Sequence, residues 1–335
     1  MSISTAYPVR APRWILTYRG VDVTADVSRD VRSITYVDHL DGLSGDLEIE
    51  LEDHDRRWQS SWMPSLGDSV SLLIGYQGGA LLPCGDFQVD EVELCAPPDV
   101  MRLRCLTAYI TAAMRTRRSV GYEDVTLLAI AQAVAERYGL ALIYAGDDFT
   151  PVFDRVTQTQ ESDLRFLKRL ANEHGYDFTI RGAQLVFYLR AALIAADAST
   201  TIQRRNTAHF SIRNRTRDVY RSAEIAYHDM LGKELIDQSA SAILAVASGD
   251  AFKVATRVGN GQEALIKAVG LLGLSNLAGC EGELSLEGDT ALAAGLNIQL
   301  ADFGAYDGIY LIRSARHRLT RSQGYTTDLE VNRVR

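Results

Sequence analysis

Residues 45–51 read GDLEIEL, with Leu47, Ile49 and Leu51 alternating against Asp46, Glu48 and Glu50. A period of two puts the apolar set on one face of a β-strand and the acids on the other, as in a half-buried antiparallel sheet. The surrounding stretch, DHLDGLSGDLEIELEDHD from Asp38 to Asp55, is dense enough in carboxylates and imidazoles to suggest a metal or acid/base centre. The spacing opposes that reading. Same-face carboxylates along a strand stand ~7 Å apart, too far for neighbours to chelate one ion. His39 and His54 fall outside the alternation and lack the i, i+4 pairing of a helical zinc motif. The stretch therefore reads as one strand, with Asp46, Glu48 and Glu50 on a solvated, lumen-facing or interface side.

Working outward, the pattern recurs. Gly45, Leu47, Ile49 and Leu51 resemble Gly282, Leu284 and Leu286, and each set is followed by Gly-x-x-[Val/Ile]-x-Leu, at Gly67, Val70, Leu72 and at Gly295, Ile298, Leu300. Next comes Gly-x-aromatic-x-[Val/Ile]-x-x-[Val/Ala], at Gly85, Phe87, Val89, Val92 and at Gly308, Tyr310, Ile312, Ala315; then Leu103 and Cys105 stand against Leu329 and Val331. Four pieces in one order imply a duplicated β module. Between the copies the period changes. DVTLLAIAQAVAERYG places Leu127, Ile130, Ala131, Val134 and Tyr138 on one helical face, capped by Asp124 or Thr126 and ended at Gly139. SDLRFLKRLANEHG repeats the design, with Leu164, Leu167, Leu170 and Ala171 inward, Ser162 as cap and Gly175 as stop. A third helix is expected from Asn260, in capping-box spacing with Glu263, burying Ala264, Leu265, Ala268 and Leu272.

The expected fold is mainly β with an α+β insert: a first β-barrel module over 1–114, an α+β insert over 115–200, and a second module over 201–335 carrying one helix at about 260–277. With 335 residues, 47% of them hydrophobic, the chain buries real cores. A formal charge of -8 disfavours binding nucleic acid by phosphate neutralisation. No apolar run reaches the ~20 residues of a membrane span, and the N-terminus lacks the order of a signal peptide, so assembly in a cytoplasm is expected. Cys84, Cys95, Cys105 and Cys280 show no C-x-x-C spacing and read as free, mostly buried thiols.

Other candidate sites weaken on inspection. GNGQEA, Gly259 to Ala264, matches a dinucleotide turn formally, but its flanks alternate like antiparallel strands, so a helix start is the better reading. Leu277 stands where a nucleophile elbow needs glycine after Ser275. His174 closes a helix, and His317, among arginines in RSARHRL, is expected to be exposed or at an interface. Arg115, Arg117 and Arg118 in MRTRRS, like Arg213, Arg215 and Arg217 in IRNRTRD, lack interleaved aromatics and read as domain or subunit contacts. No catalytic residue, metal or cofactor is assigned.

The helix run Glu161-Ser162-Asp163-x-x-Phe166-Leu167-x-Arg169-Leu170-Ala171 to Gly175 resembles a segment of the phage late control protein D family. These are hub proteins of contractile-tail baseplates, related to the front part of type VI secretion spike proteins. Asp307-Gly308-x-Tyr310-x-Ile312-x-x-Ala315-x-His317, with Gly324-Tyr325-x-Thr327-x-Leu329, resembles the family's closing hairpin, and Gly85, Phe87, Val89 and Val92 match its strand before the insert. The resemblance implies two tail-tube-like barrels per chain, a homotrimeric ring of pseudo-six-fold symmetry joining a three-fold spike to a six-fold tube, and no catalytic site. It implies as partners the tail tube protein, the spike protein, other baseplate proteins and the tape measure protein, with DNA only as passing cargo. The chain ends at the hairpin, so the spike is expected to be a separate polypeptide. The rivals are a tail-carried cell-wall hydrolase, from another class, and the front-end hub of a type VI secretion spike.

Overall fold

The structure, a computed structural model, describes residues 10–40, 45–109, 112–145, 151–229, 234–242, 249–254 and 261–335. In the first part, β1 (Pro12–Tyr18), β2 (Val21–Asp22), a short α1 (Thr24–Val27), β3 (Val31–His39), β4 (Asp46–Glu52), β5 (Ser69–Tyr76), β6 (Leu82–Cys95) and β7 (Val100–Thr107) follow one another. The middle part holds α2 (Ala112–Arg115), β8 (Arg117–Thr126), α3 (Leu127–Arg137), β9 (Ala141–Ala145), β10 (Val152–Ser162), α4 (Asp163–Glu173), β11 (Tyr176–Arg181), β12 (Gln184–Leu189) and α5 (Arg190–Ala195). The last part holds β13 (Ala198–Gln203), β14 (Thr207–Asn214), β15 (Ser222–Asp229), β16 (Glu234–Ser241), β17 (Ala251–Val254), α6 (Gly261–Leu277), β18 (Cys280–Glu287), β19 (Asn297–Ala301), β20 (Gly308–Thr320) and β21 (Gly324–Arg333).

The duplication is written in the strand order. The first part pairs as β3-β4-β7-β6-β5-β1 and the last as β14-β18-β21-β20-β19-β13. Each row of six feeds one core, the first through Leu16, Ile34, Ile49, Leu72, Phe87 and Leu103, the second through Ile202, Leu284, Leu300, Tyr310, Ile312 and Leu329. In the second row β14 contributes the partly buried Phe210 and Ile212, so every strand of both rows reaches its module's core. Irregularities coincide as well. The β6–β7 ladder slips between Val89 and Glu91, and β20–β21 slips between Ile312 and Ser314. Gly67 N donates to Val89 O at 2.8 Å and Gly295 N to Ile312 O at 2.9 Å, and both glycines have positive φ, which explains why glycine opens this strand in both copies.

The ladders also shift one equivalence. Leu103 pairs Ile49 and Leu329 pairs Leu284, so Leu284 corresponds to Ile49, not to Leu47 as the sequence pattern suggests. Sliding by one repeat of a period-two pattern leaves every side chain on its own face, so alternation alone cannot see it. In this register the slip of β3 between Val31 and Ser33 coincides with that of β14 between Thr207 and His209.

The two modules are not separate. β20 pairs β3 from Ser314↔His39 to Thr320↔Ser33, fusing both rows into a 13-stranded sheet. Around this junction Tyr36 stacks on His317 at 6.1 Å between centroids.

The insert has its own core of Ile130, Val134, Phe166, Leu167, Leu170, Phe178 and Phe187. Its helices are capped as the sequence predicts: Thr126 Oγ1 accepts from Ala129 N at 3.0 Å, and Ser162 Oγ from Arg165 N at 3.3 Å. β15, β16 and β17 form a further small sheet covered by α6. α6 buries Ala264, Ala268 and Leu272, whereas Leu265, expected inside, is 41% exposed. The expected Asn260 cap, with Gly259 before it, lies outside the described residues. Gly270 of α6 lies against the turn ending α4: a Cβ there would meet Gly175 N at 2.4 Å. Arg190 locks the same contact, bonding Asp177 Oδ2 at 2.7 Å and Gly270 O at 3.3 Å.

Candidate functional site

The acidic strand lies where the alternation puts it, with Leu47, Ile49 and Leu51 in the core and the acids on the outer face. It does not stand alone there. Glu48 and Glu50 pair with Arg104 and Arg102 of β7, which pair in turn with Glu91 and Glu93 of β6. Arg102 bonds Glu50 Oε1 through Nη2 at 3.0 Å and Glu93 Oε2 through Nη1 at 2.8 Å, and Arg104 Nη1 bonds Glu91 Oε2 at 3.0 Å. Partial burial pushes Glu50 upward, but bonds from Arg102 and Ser33 outweigh it and hold the carboxyl below its usual range. The acids are thus one rail of a three-strand charge ladder. Asp46, at the start of the strand, is exposed.

The flanks of this stretch are buried, which its overall acidity concealed. Asp53 is fully buried and accepts from Trp58 N and Gln59 Nε2, each at 3.0 Å, pinning the loop after β4. Asp38, at the junction of both modules with the insert, accepts from Ala294 N at 3.0 Å and Arg181 Nη2 at 3.2 Å. Burial dominates there and raises its carboxyl above the ordinary value. Asp38, Tyr36, Cys84, Arg181 and His317 line a cavity of about 220 Å³ at this junction.

Of the two places expected for His317, exposed or at an interface, the structure excludes the first and sets the ring at the junction of the two modules, against Tyr36. His317 is 1% exposed, with Nδ1 2.8 Å from Tyr325 Oη and Nε2 3.0 Å from Leu292 O, and burial pushes it down to about 4. Period two explains the placement, since Arg316 and Arg318 point outward and His317 shares the inner face with Ala315 and Leu319. His174 is likewise buried, its Nδ1 2.8 Å from Leu170 O, and burial also depresses it to about 4. It caps its helix as a neutral ring.

The Arg115 to Arg118 cluster divides. Arg115 and Arg117 are exposed, but Arg118 lies 3.6 Å from Asp163, a contact within the insert. Asp163 is the buried hub that the sequence reading passed over. It takes bonds from Arg137 at 2.7 Å, Tyr138 at 2.5 Å and Gln158 at 2.8 Å, and these outweigh the upward push of burial, so its carboxyl stays low. Arg213 and Arg215 bond Glu281 of β18, across the β14–β18 ladder. Among the described residues no three His, Cys, Asp or Glu side chains converge as a metal site, and no helix is long and apolar enough to cross a membrane.

Over 193 residues, 58% of this chain, 31% of positions are identical to a probable baseplate hub protein of Escherichia phage 186. In sequence the chain is similar to phage baseplate hub proteins. It spans about half the length of that relative, 49%. The fold matches the 43 kDa tail protein of prophage MuSo2 from Shewanella oneidensis with a TM-score of 0.73 at 17% identity, over 97% of this chain and 99% of that one. It also matches the E. coli c3393 protein, a component of the type VI secretion system, with a TM-score of 0.60 at 14% identity, over 95% and 76% of the two chains. No family model matches the chain.

Proposed function

We propose that the chain is a structural baseplate hub of a contractile phage tail or tail-like particle. Three copies form a ring of pseudo-six-fold symmetry that joins a three-fold spike to a six-fold tail tube, nucleates the tube and encloses the delivery channel. The observation that carries this reading is the β20–β3 junction, which sets two copies of one module edge to edge within a chain. A repeated module joined through a repeated edge is the element from which a ring of evenly placed faces is built. The similarity to baseplate hub proteins points the same way. The partners are then the tube protein, the spike, neighbouring baseplate proteins and the tape measure protein, with DNA as passing cargo.

The chain works by assembly rather than turnover. Glu48 and Glu50, the nearest approach to a hydrolytic acid pair, are tied to Arg102 and Arg104, and Glu50 is held in its ionised form, unsuited to a general acid. Asp46, Glu48, Glu50, Arg115 and Arg117 remain as surface for the channel or for neighbouring proteins. Light scattering with low-resolution imaging tests the reading: a mass of three chains and a ring outline are expected, and a stable monomer at micromolar concentration would overturn it. Release of peptidoglycan fragments that is lost in Glu48→Gln or Glu50→Gln would replace the scaffold with a hydrolase.

A further inference from the structure

Among the described residues, the internal symmetry leaves one edge of the β20–β3 kind without a partner strand in each module. Within the chain, the second half of β20 pairs β3. By the shared ladders and slips, β6 is the counterpart of β20 in the first module, and β14 is the counterpart of β3 in the second. The corresponding edge of β6, Asp90 to Cys95, and the outer edge of β14 have no partner strand among the described residues. Within the chain they are not paired with each other, and the strands β18, β21, β20, β3, β4 and β7 separate them in the sheet order. We propose that β6 of one chain pairs antiparallel with β14 of a second copy, in the register of the β20–β3 junction. The proposal rests on the ring reading and supplies its seam.

Transferring the register gives definite partners. His317↔Tyr36 becomes Leu94↔Ile212, Arg316↔Val37 becomes Glu93↔Arg213, and Ser314↔His39 becomes Glu91↔Arg215. Leu94, 48% exposed in the single chain, falls on the side where His317 and Tyr36 stack, and so gains an apolar cover from Ile212. On the outer face, two acids meet two arginines. The row Glu50, Arg102, Glu93, Arg213, Glu281 then alternates in charge across five strands, three from one chain and two from its neighbour. A slip of one residue would bring Glu93 against Asn214 or Ile212 and lose the match. Arg213 and Arg215, which share Glu281 within the chain, thereby gain acidic partners of their own, and unpaired sheet edges are used instead of left open.

The test is a disulfide across the seam in the full-length chain. Leu94→Cys with Ile212→Cys, in a Cys95→Ser background, should give covalently closed rings of three under mild oxidation, because facing residues of an antiparallel pair stand ~4.5–5.5 Å apart at Cα. Leu94→Cys with Phe210→Cys, two residues out of register, should not cross-link. Glu93→Arg or Arg213→Glu alone should weaken ring formation about fivefold per seam, and the two together should restore it. A ring by light scattering without the Leu94–Ile212 cross-link, or with equal cross-linking from both pairs, overturns the seam and leaves the ring reading standing. A wild-type chain that stays monomeric and yields no cross-link overturns both.

Discussion

The two β modules share a strand order, two ladder slips and a glycine turn, yet differ in what surrounds them. Between β3 and β4 the first module has only a short connection, whereas between β14 and β18 the second carries β15, β16, β17 and α6. Their outer strands run differently: β1 is antiparallel to β5, but β13 is parallel to β19. The charge also changes sign. Where β7 has Arg102 and Arg104 between rows of glutamate, the matching strand β21 has Asp328 and Glu330, with Arg316 beside Asp328. The backbone frame and inner faces are repeated while the outer faces diverge. This is the expected result when the core fixes the fold and the surface is free to serve different neighbours.

The sharpest way to break the comparison is at equivalent core positions. Phe87 and Tyr310 occupy the same ladder position, and are 1% and 0% exposed. Phe87→Ala and Tyr310→Ala should each cost about 3–5 kcal/mol in urea unfolding, the usual range for deleting a buried aromatic. Tyr310 should sit at the upper end, because its hydroxyl also donates to Tyr306 O at 2.9 Å. A loss below 1 kcal/mol at either site would mean that its half is not held by one packed core.

Next in size is the junction histidine. His317 has Leu94 as its counterpart, so one side chain titrates where the other cannot. The folded value near 4 lies below histidine's ordinary 6.5, so the unfolded chain binds a proton that the native chain refuses. This contribution is intact above pH 6.5 and is lost as pH falls towards 4, by up to about 3 kcal/mol. His174 acts in the same sense. His317→Gln should remove roughly half of the pH dependence in that window, as read by unfolding midpoints at pH 7 and pH 4.5. An unchanged profile would show that the ring is solvated in the native state.

Much of this frame was legible in the sequence. Alternation located most strands of the two β modules but passed over β8, β9, β10, β13, β16 and β17, and Thr126, Ser162 and Gly175 marked helix ends because caps and left-handed glycines are local requirements. The register of the second copy was not legible, since a period-two pattern is unchanged by sliding two residues, and only the ladder slips at Val89 and Ile312 fix it. Nor was the burial of Asp38, Asp53 and Asp163, because composition counts acids without their partners, and Arg181, Trp58 and Arg137 are distant in sequence or on other elements. His317 could have been found: its neighbours Ala315 and Leu319 share its face, and the flanking arginines drew attention to the wrong one.

The reversed charge ladder predicts a smaller effect. Arg102→Ala removes the bonds to Glu50 and Glu93 and leaves three glutamates facing one another, which should cost about 1 kcal/mol in low salt and less in high salt, as for partly exposed networks. Asp328 stands at the matching place in the second module, so Asp328→Ala should leave its ladder nearly neutral. Equal losses from both variants would show that the ladder in the first module carries no special weight.

The smallest expected effect comes from the residue that most nearly joins all three parts. Asp38 corresponds to Asn214 in the second module, so Asp38→Asn converts one copy towards the other. Burial raises the Asp38 carboxyl, so the native chain takes up a proton before the unfolded one does. Its contribution is therefore complete below the ordinary carboxylate value and is lost as pH rises through the raised one, opposite in sign to that of His317. Asparagine keeps an acceptor for Ala294 N, and Arg181 retains solvent, so at neutral pH the change should stay within about 1 kcal/mol. The acid side is diagnostic: without the compensating uptake at Asp38, the variant should lose stability more steeply than wild type on going from neutral to acid pH. Parallel curves would mean that Asp38 is satisfied as a carboxylate, and that the junction between the modules is wetter than its burial indicates.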